Sequence, residues 1–407
     1  MIHGSHAIFT LVIGLVVGAC ASSDKAPETE DSSDNLSHSL PRWVVPSENL
    51  PVTPLASNNN VDIVVHDGRL FLAWRTAPFH FASPATRMEV VSSTDAGATW
   101  DHECTFELGT DVREPRLISF QGTLQILFFE AGADPLTFDP RRIHRSFRED
   151  FARWTPLEVL LDEPEVPWDI KEHDGALWMT SYRGEHYGED RFGNVEVLFK
   201  TSTDGLHWDL VEGAPHVLLG GSSEVAFEFT ESGDLWAVTR NEDGDVTGKG
   251  SRICHATAEA LSEWDCTNPS DPERYDSPEM FRHGDTMYVV ARRDVGGPYG
   301  EDPDMLAYSG RPKRTALYRL DTEAPRLIHL LDLPGVGDTA FPSIIPGKDG
   351  TFLLANYTSP FSTPDISWLE AQLSPEGTQI YLLDLCLGSP SSTCRDGVLH
   401  EGLERND

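Results

Sequence analysis

Six times along the chain a turn glycine is followed, seven or eight residues later, by a side chain that could grip or activate a ligand. The stretches run from Gly68 to Arg75, Gly122 to Glu130, Gly175 to Arg183, Gly233 to Arg240, Gly284 to Arg292 (with Arg293 beside it) and Gly350 to Tyr357. Upstream of five of these glycines stands an acid: Asp62, Glu114, Asp169, Glu224, and Asp276 or Glu279; the sixth stretch opens on Phe341. A guanidinium fork matches a carboxylate bidentately, and a pair of Asp or Glu residues can divide acid and base work. One exposed Arg–acid pair is worth little. The same pairing recurring at equivalent positions points to a shared space, where burying several charges requires a charged or hydroxyl-rich ligand. Glu224, Glu114, Asp169 and Tyr357 are therefore the candidate catalytic residues, and Arg75, Arg183, Arg240, Arg292, Arg293, Glu279 and Asp62 the candidate ligand contacts.

The elements that must position these residues also repeat. A half-apolar run, a glycine turn and a second apolar run read as a β-hairpin. The first runs are Val61 to Val65, Glu114 to Phe120, Trp168 to Lys171, Glu224 to Phe229, Ser277 to Phe281 and Phe341 to Ile345. After the hairpin comes a second motif, clearest as Ser93-Thr94-Asp95-Ala96-Gly97-Ala98-Thr99-Trp100, which has the form S-x-D-x-G-x-T-W of an Asp box; Ser202 to Trp208 is a shorter copy. Its tryptophans fall at 100, 154, 208 and 264, in steps of 54, 54 and 56, and Tyr318 and Trp368 extend the series at 54 and 50. In such a box Asp accepts turn amides, Gly takes a backbone conformation other residues avoid, and Trp packs between sheets, so Asp95 and Asp204 are structural. A repeat of this length is best sought before any single element, and here it predicts an all-β fold, a six-bladed β-propeller of four-stranded antiparallel blades with Asp-box turns. In a propeller the first strand of each hairpin lines the central channel, so the candidates should converge on one funnel.

The ends of the chain and its charge limit the partners. An apolar run from Ala7 to Val17, too short to span a bilayer, leads to Val17-Gly18-Ala19-Cys20, a pattern similar to bacterial lipoprotein signals. Residues 1–19 read as the signal, Cys20 as the lipidated residue, 20–41 as a flexible tether too polar to bury a core, and 42–407 as the propeller. The expected location is the bacterial cell envelope, an outer-membrane lipoprotein or a secreted form, with a membrane met only through the lipid. A net charge of -35 excludes nucleic acid and anionic surfaces as partners and leaves a small polar ligand, bound by a monomer. In an exported chain the closely spaced pairs Cys254 with Cys266 and Cys386 with Cys394 predict disulfides, leaving Cys104 over. No C-x-x-C and no histidine pair suggests a metal, and no cofactor is expected.

The stretch from Ser223-Glu224-Val225-Ala226-Phe227-Glu228 through Gly233-Asp234-Leu235-Trp236 to Arg240, set in a six-blade Asp-box frame, resembles the sialidase (neuraminidase) superfamily. The resemblance implies an exo-acting glycoside hydrolase in which Glu224 supports a tyrosine nucleophile and Arg240 belongs to a triad gripping the carboxylate of an acidic sugar. Arg75 resembles the arginine beside the family's acid/base aspartate. Two places depart from the pattern. Asn58-Asn59-Asn60-Val61-Asp62 stands where the family has its first triad arginine, and Ala340-Phe341-Pro342-Ser343 stands where it has its tyrosine. Phe cannot be a nucleophile. Two other readings stay open. In one, a carboxylate pair acts on a neutral sugar, since Arg113-Glu114-Pro115 and Asp276-Ser277-Pro278-Glu279 loosely resemble strand starts of five-bladed glycosidases. In the other, the chain binds a glycan without catalysis.

Overall fold

The computed structural model describes residues 36–185, 194–300, 304–348 and 350–388. Six antiparallel sheets follow one another along the chain. Their inner strands, Ser57–His66, Asp111–Phe120, Glu165–His173, Ser222–Phe229, Asp276–His283 and Ser343–Pro346, stand side by side in a closed ring. This is a six-bladed β-propeller. In the first three blades the inner strand returns through Asp67-Gly68, Gln121-Gly122 and Asp174-Gly175, with both residues of each turn left-handed. Such two-residue turns match the twist of the strands, and glycine holds the second position without a steric penalty.

Ring closure comes from the other end of the chain. Ser37–His38 and Arg42–Val45 both pair with Gln379–Cys386 of the sixth blade. Among the described residues sheet pairing begins at Ser37, inside the segment composition marks as tether. Ladder hydrogen bonds such as Ser39 N to Asp384 O at 2.8 Å order that polar stretch without needing a core of its own. Residues 1–35, including Cys20, lie outside the described residues.

Trp100, Trp208 and Trp264 each immediately precede the short outer strand of their blade, and Trp154 lies in the two-residue outer strand Arg153–Trp154. In the turn before Trp100, Asp95 accepts from the Thr99 amide at 2.8 Å and from its hydroxyl at 2.6 Å. The series does not extend further: Tyr318 lies in the third strand of the fifth blade (Lys313–Asp321), and Trp368 opens a short helix, Trp368–Leu373. Equal spacing alone placed them, and the longer connections of the last two blades break the period.

The core fills the spaces between blades. Phe71, Met88 and Val90 of the first blade pack against Val112, Leu124 and Phe128 of the second, all buried. Burying a side chain of this size is worth about 1.5–3 kcal/mol. Cys254 and Cys266 face each other across the two outer strands of the fourth blade and form a disulfide. Cys394, and so the second expected pairing, lies outside the described residues.

Candidate active site

Each inner strand runs from one mouth of the channel toward the other. Residues at the strand starts line a cavity of about 370 Å³, and residues farther along line a second one of about 390 Å³. Between them the channel is plugged. Arg116 lies over the rings of Trp168 and Phe341, 5.2 and 4.8 Å from their centroids, and the two rings meet edge to face at 5.1 Å.

The first mouth is shaped by a repeated backbone irregularity. Five inner strands carry a register shift near their start, between Asn59 and Val61, Arg113 and Arg116, Pro167 and Asp169, Ser223 and Val225, and Asp276 and Glu279. A bulge re-aims the extra side chain. In four of the five that residue is left-handed: Asn60 (φ 48), Glu114 (φ 56), Glu224 (φ 46) and Ser277 (φ 49). Asn tolerates this region, but Glu does not, and each costs about 1–3 kcal/mol. The surrounding sheet holds two glutamates in a strained conformation with both facing the first cavity.

Around Glu224 the charges are dense. It pairs with Arg240, and its other oxygen accepts the Ser277 amide at 2.8 Å. Arg240 also meets Glu242 at 2.5 Å and Asp276 at 3.0 Å. Asp276 in turn receives Arg274 at 2.8 Å, Arg292 at 3.7 Å and the Tyr308 hydroxyl. Burial alone would raise the Asp276 carboxyl, but Arg274, Arg240 and Arg292 outweigh it and hold the group below the ordinary range.

Glu114 behaves in the opposite way. Burial, followed by the negative charge of Glu224, pushes its carboxyl up to about 8 against the pull of Arg116, Arg113 and Arg240. Among the described residues nothing hydrogen-bonds its buried Oε2. Tyr182 closes this side, its phenol raised well above the ordinary value by burial and then by Glu114 and Glu224. Across the mouth Asp338 accepts from the Tyr357 hydroxyl at 3.1 Å and lies 2.6 Å from His80 Nδ1, while His80 Nε2 is 3.0 Å from Gln372. Burial, then Asp338, drives the Tyr357 phenol far up, so it is not ionised at rest.

The structure thus gathers Glu114, Glu224, Arg240, Arg292 and Tyr357 at one mouth and sends the other candidates elsewhere. Asp62, Asp169 and Glu279 line the second mouth. Asp62 accepts the Leu117 amide at 2.5 Å and Asp169 the Phe227 amide at 2.9 Å, so each ties its strand to the next blade; Glu279 pairs with Lys171 at 3.4 Å. Arg183 pairs with Glu196 and Glu163, and Arg293 with Asp332, away from both cavities. Arg75 is fully buried behind the first mouth on Asp111 at 2.9 Å. Register explains Arg183: Arg75, Arg240 and Arg292 lie opposite Asn59, Ser223 and Asp276, whereas the same slot in the third blade holds Ser181. His80, Asp338 and Glu242 were not singled out by sequence, because they flank the repeat instead of recurring in it, and Tyr182 was passed over for its neighbour Arg183 in the same strand.

No family model and no curated protein matches the chain. Solved structures do. A protein of unknown function from Dyadobacter fermentans is 14% identical, with a TM-score of 0.57 over 81% of this chain and 95% of that one. Trypanosoma rangeli sialidase in complex with sialic acid is 14% identical, with a TM-score of 0.54 over 82% of this chain; the match spans 54% of that chain, about half its length. Phage phi92 endosialidase is 12% identical, with a TM-score of 0.56 over 92% of this chain and 72% of that one. The molecule is a six-bladed propeller with a charged mouth, and its fold resembles the sialidase superfamily.

Proposed function

We propose that the chain is a glycoside hydrolase of sialidase-like type that takes the end of a glycan into the first mouth. Glu114 is the proton donor to the leaving oxygen and Glu224, held beside Arg240 and the Ser277 amide, is the partner carboxylate. One observation carries this reading: a buried carboxyl with an unsatisfied oxygen, raised to about 8, opposes a carboxylate paired with a guanidinium. Two carboxyl groups whose environments push their acidities apart are the usual equipment for glycoside cleavage. Tyr357, hydrogen-bonded to Asp338, lines the same mouth as a substrate contact and a reserve nucleophile. The disulfide suits an oxidising compartment, in keeping with export through the 1–19 signal and anchoring at Cys20.

The test is turnover of fluorogenic glycosides, sialosides included, by the purified mature domain. An active donor must be protonated, so the rate should fall as pH rises through about 8. Glu114→Gln and Glu224→Gln should each lower the rate by about 10²- to 10⁴-fold. Turnover unchanged in either variant would refute the assignment, and absence of turnover with retained sugar binding would favour the non-catalytic reading.

A further inference from the structure

The arginine pattern in the sequence suggested an acidic sugar, but the charges of the first mouth are arranged for something else. Among its described lining residues, and leaving out the protonated Glu114, the carboxylates Asp111, Asp139, Glu224 and Glu242 outnumber Arg113, Arg240 and Arg292. Every one of these guanidinium groups already faces a carboxylate. Arg113 pairs with Asp111, Arg240 with Glu224, Glu242 and Asp276, and Arg292 with Asp276. Arg292 also donates from Nε to the carbonyl oxygen of Thr339, at 2.5 Å, and from Nη2 to that of Ala340, at 3.3 Å. Arg75, which shares the register of Arg240 and Arg292, is sealed behind the wall on Asp111. Where a further arginine could complete a grip, the first blade offers Asn59 and Asn60.

A sugar carboxylate entering this mouth would bring a charge into a site whose lining is already acidic and whose cations are committed. Displacing a buried partner carboxylate from Arg240 would leave that group uncompensated, which is more costly than the new pair is worth. The chain's net charge of -35 also repels an anion on approach. Among the described residues nothing hydrogen-bonds Glu114 Oε2, and the side-chain amides of Asn60 and Gln372 stand in the same lining. Carboxyl and amide groups of this kind suit hydroxyl and N-acetyl substituents.

We infer that the sugar bound at the first mouth is uncharged, a neutral hexose or N-acetylhexosamine, and that the guanidinium groups there serve to hold the catalytic carboxylates in place. This inference rests on the reading of the mouth as a glycoside site. Its test is a calorimetric binding series on the mature domain with methyl glycosides of the common neutral hexoses and N-acetylhexosamines, set beside methyl glycosides of glucuronic acid and sialic acid. At least one neutral glycoside should bind tenfold or more tightly than either acidic one. In Glu242→Gln, which gives one arm of Arg240 back to the mouth, affinity for the acidic glycosides should rise about tenfold. Equal or tighter binding of an acidic glycoside by the native protein, or failure of every neutral one to bind, would overturn the inference. The two claims separate cleanly: cleavage of a sialoside would refute the neutral sugar and leave the hydrolase, while a neutral glycoside bound but never cleaved would do the reverse.

Discussion

Replacing Glu114 with Gln should make the protein more stable at alkaline pH and less active at every pH. The folded state raises this carboxyl from 4.5 to about 8, first by burial and then by the charge of Glu224. A raised folded value means that the stabilising contribution is complete below pH 4.5 and is lost as pH climbs through about 8. At 1.36 kcal/mol per decade of acidity the loss approaches about 5 kcal/mol, a large part of the 5–15 kcal/mol that keeps a domain folded. Gln has the same shape and cannot ionise, so the variant escapes the loss. Thermal melts of both proteins at pH 6 and pH 9 would show it. At pH 6 the variant should already be ahead by about 2 kcal/mol, because the unfolded glutamate ionises near 4.5 while the folded one is still neutral, and the gap should widen toward pH 9. At pH 9 the variant should melt several degrees higher, since groups common to both proteins cancel in the comparison. Parallel pH dependence of the two melts would refute the reasoning, for it would mean that Glu114 ionises at its ordinary acidity and cannot be the proton donor.

Arg240→Ala should lower the melting temperature as well as abolish turnover, because it strands Glu224, Glu242 and Asp276 without their shared cation, a loss of about 3–5 kcal/mol; unchanged thermal stability would mean that the cluster is not a unit. Asp169→Ala should cost about 1–3 kcal/mol through the lost contact to the Phe227 amide while leaving turnover intact, and a large loss of activity would bring the second mouth into the chemistry. Cys254→Ser should lower stability by about 2–3 kcal/mol, as expected for a closed loop with a sequence separation of 12, and denaturation that is insensitive to reductant would contradict it.

The propeller was legible because tryptophans in steps of 54, 54 and 56 mark equivalent turns, and the glycine hairpins supply two strands per repeat. The site was legible only in part. Glu114 and Glu224 line one mouth together, whereas Asp62, Asp169 and Glu279 stand one or two residues farther along their strands and line the other. A bulge adds one residue and so reverses which face the following side chains occupy, and alternation in the sequence does not show where that reversal falls. Stepping the tryptophan spacing onto the inner strands would have helped. From Asn60, steps of 54, 54 and 56 reach Glu114, Trp168 and Glu224, the residues at the bulge in each blade. His80 and Asp338 carry no such signal, since they lie outside the repeat and meet only once the ring closes between the sixth blade and the first.

The central claim is that Glu114 protonates a departing sugar oxygen, and leaving-group dependence tests it most directly. Rates for wild type and Glu114→Gln would be compared on one sugar carrying a dinitrophenolate, which departs without a proton, and a simple alkoxide, which needs one. The account predicts a loss below tenfold for the first and about 10²- to 10⁴-fold for the second. An equal loss on both substrates would contradict it.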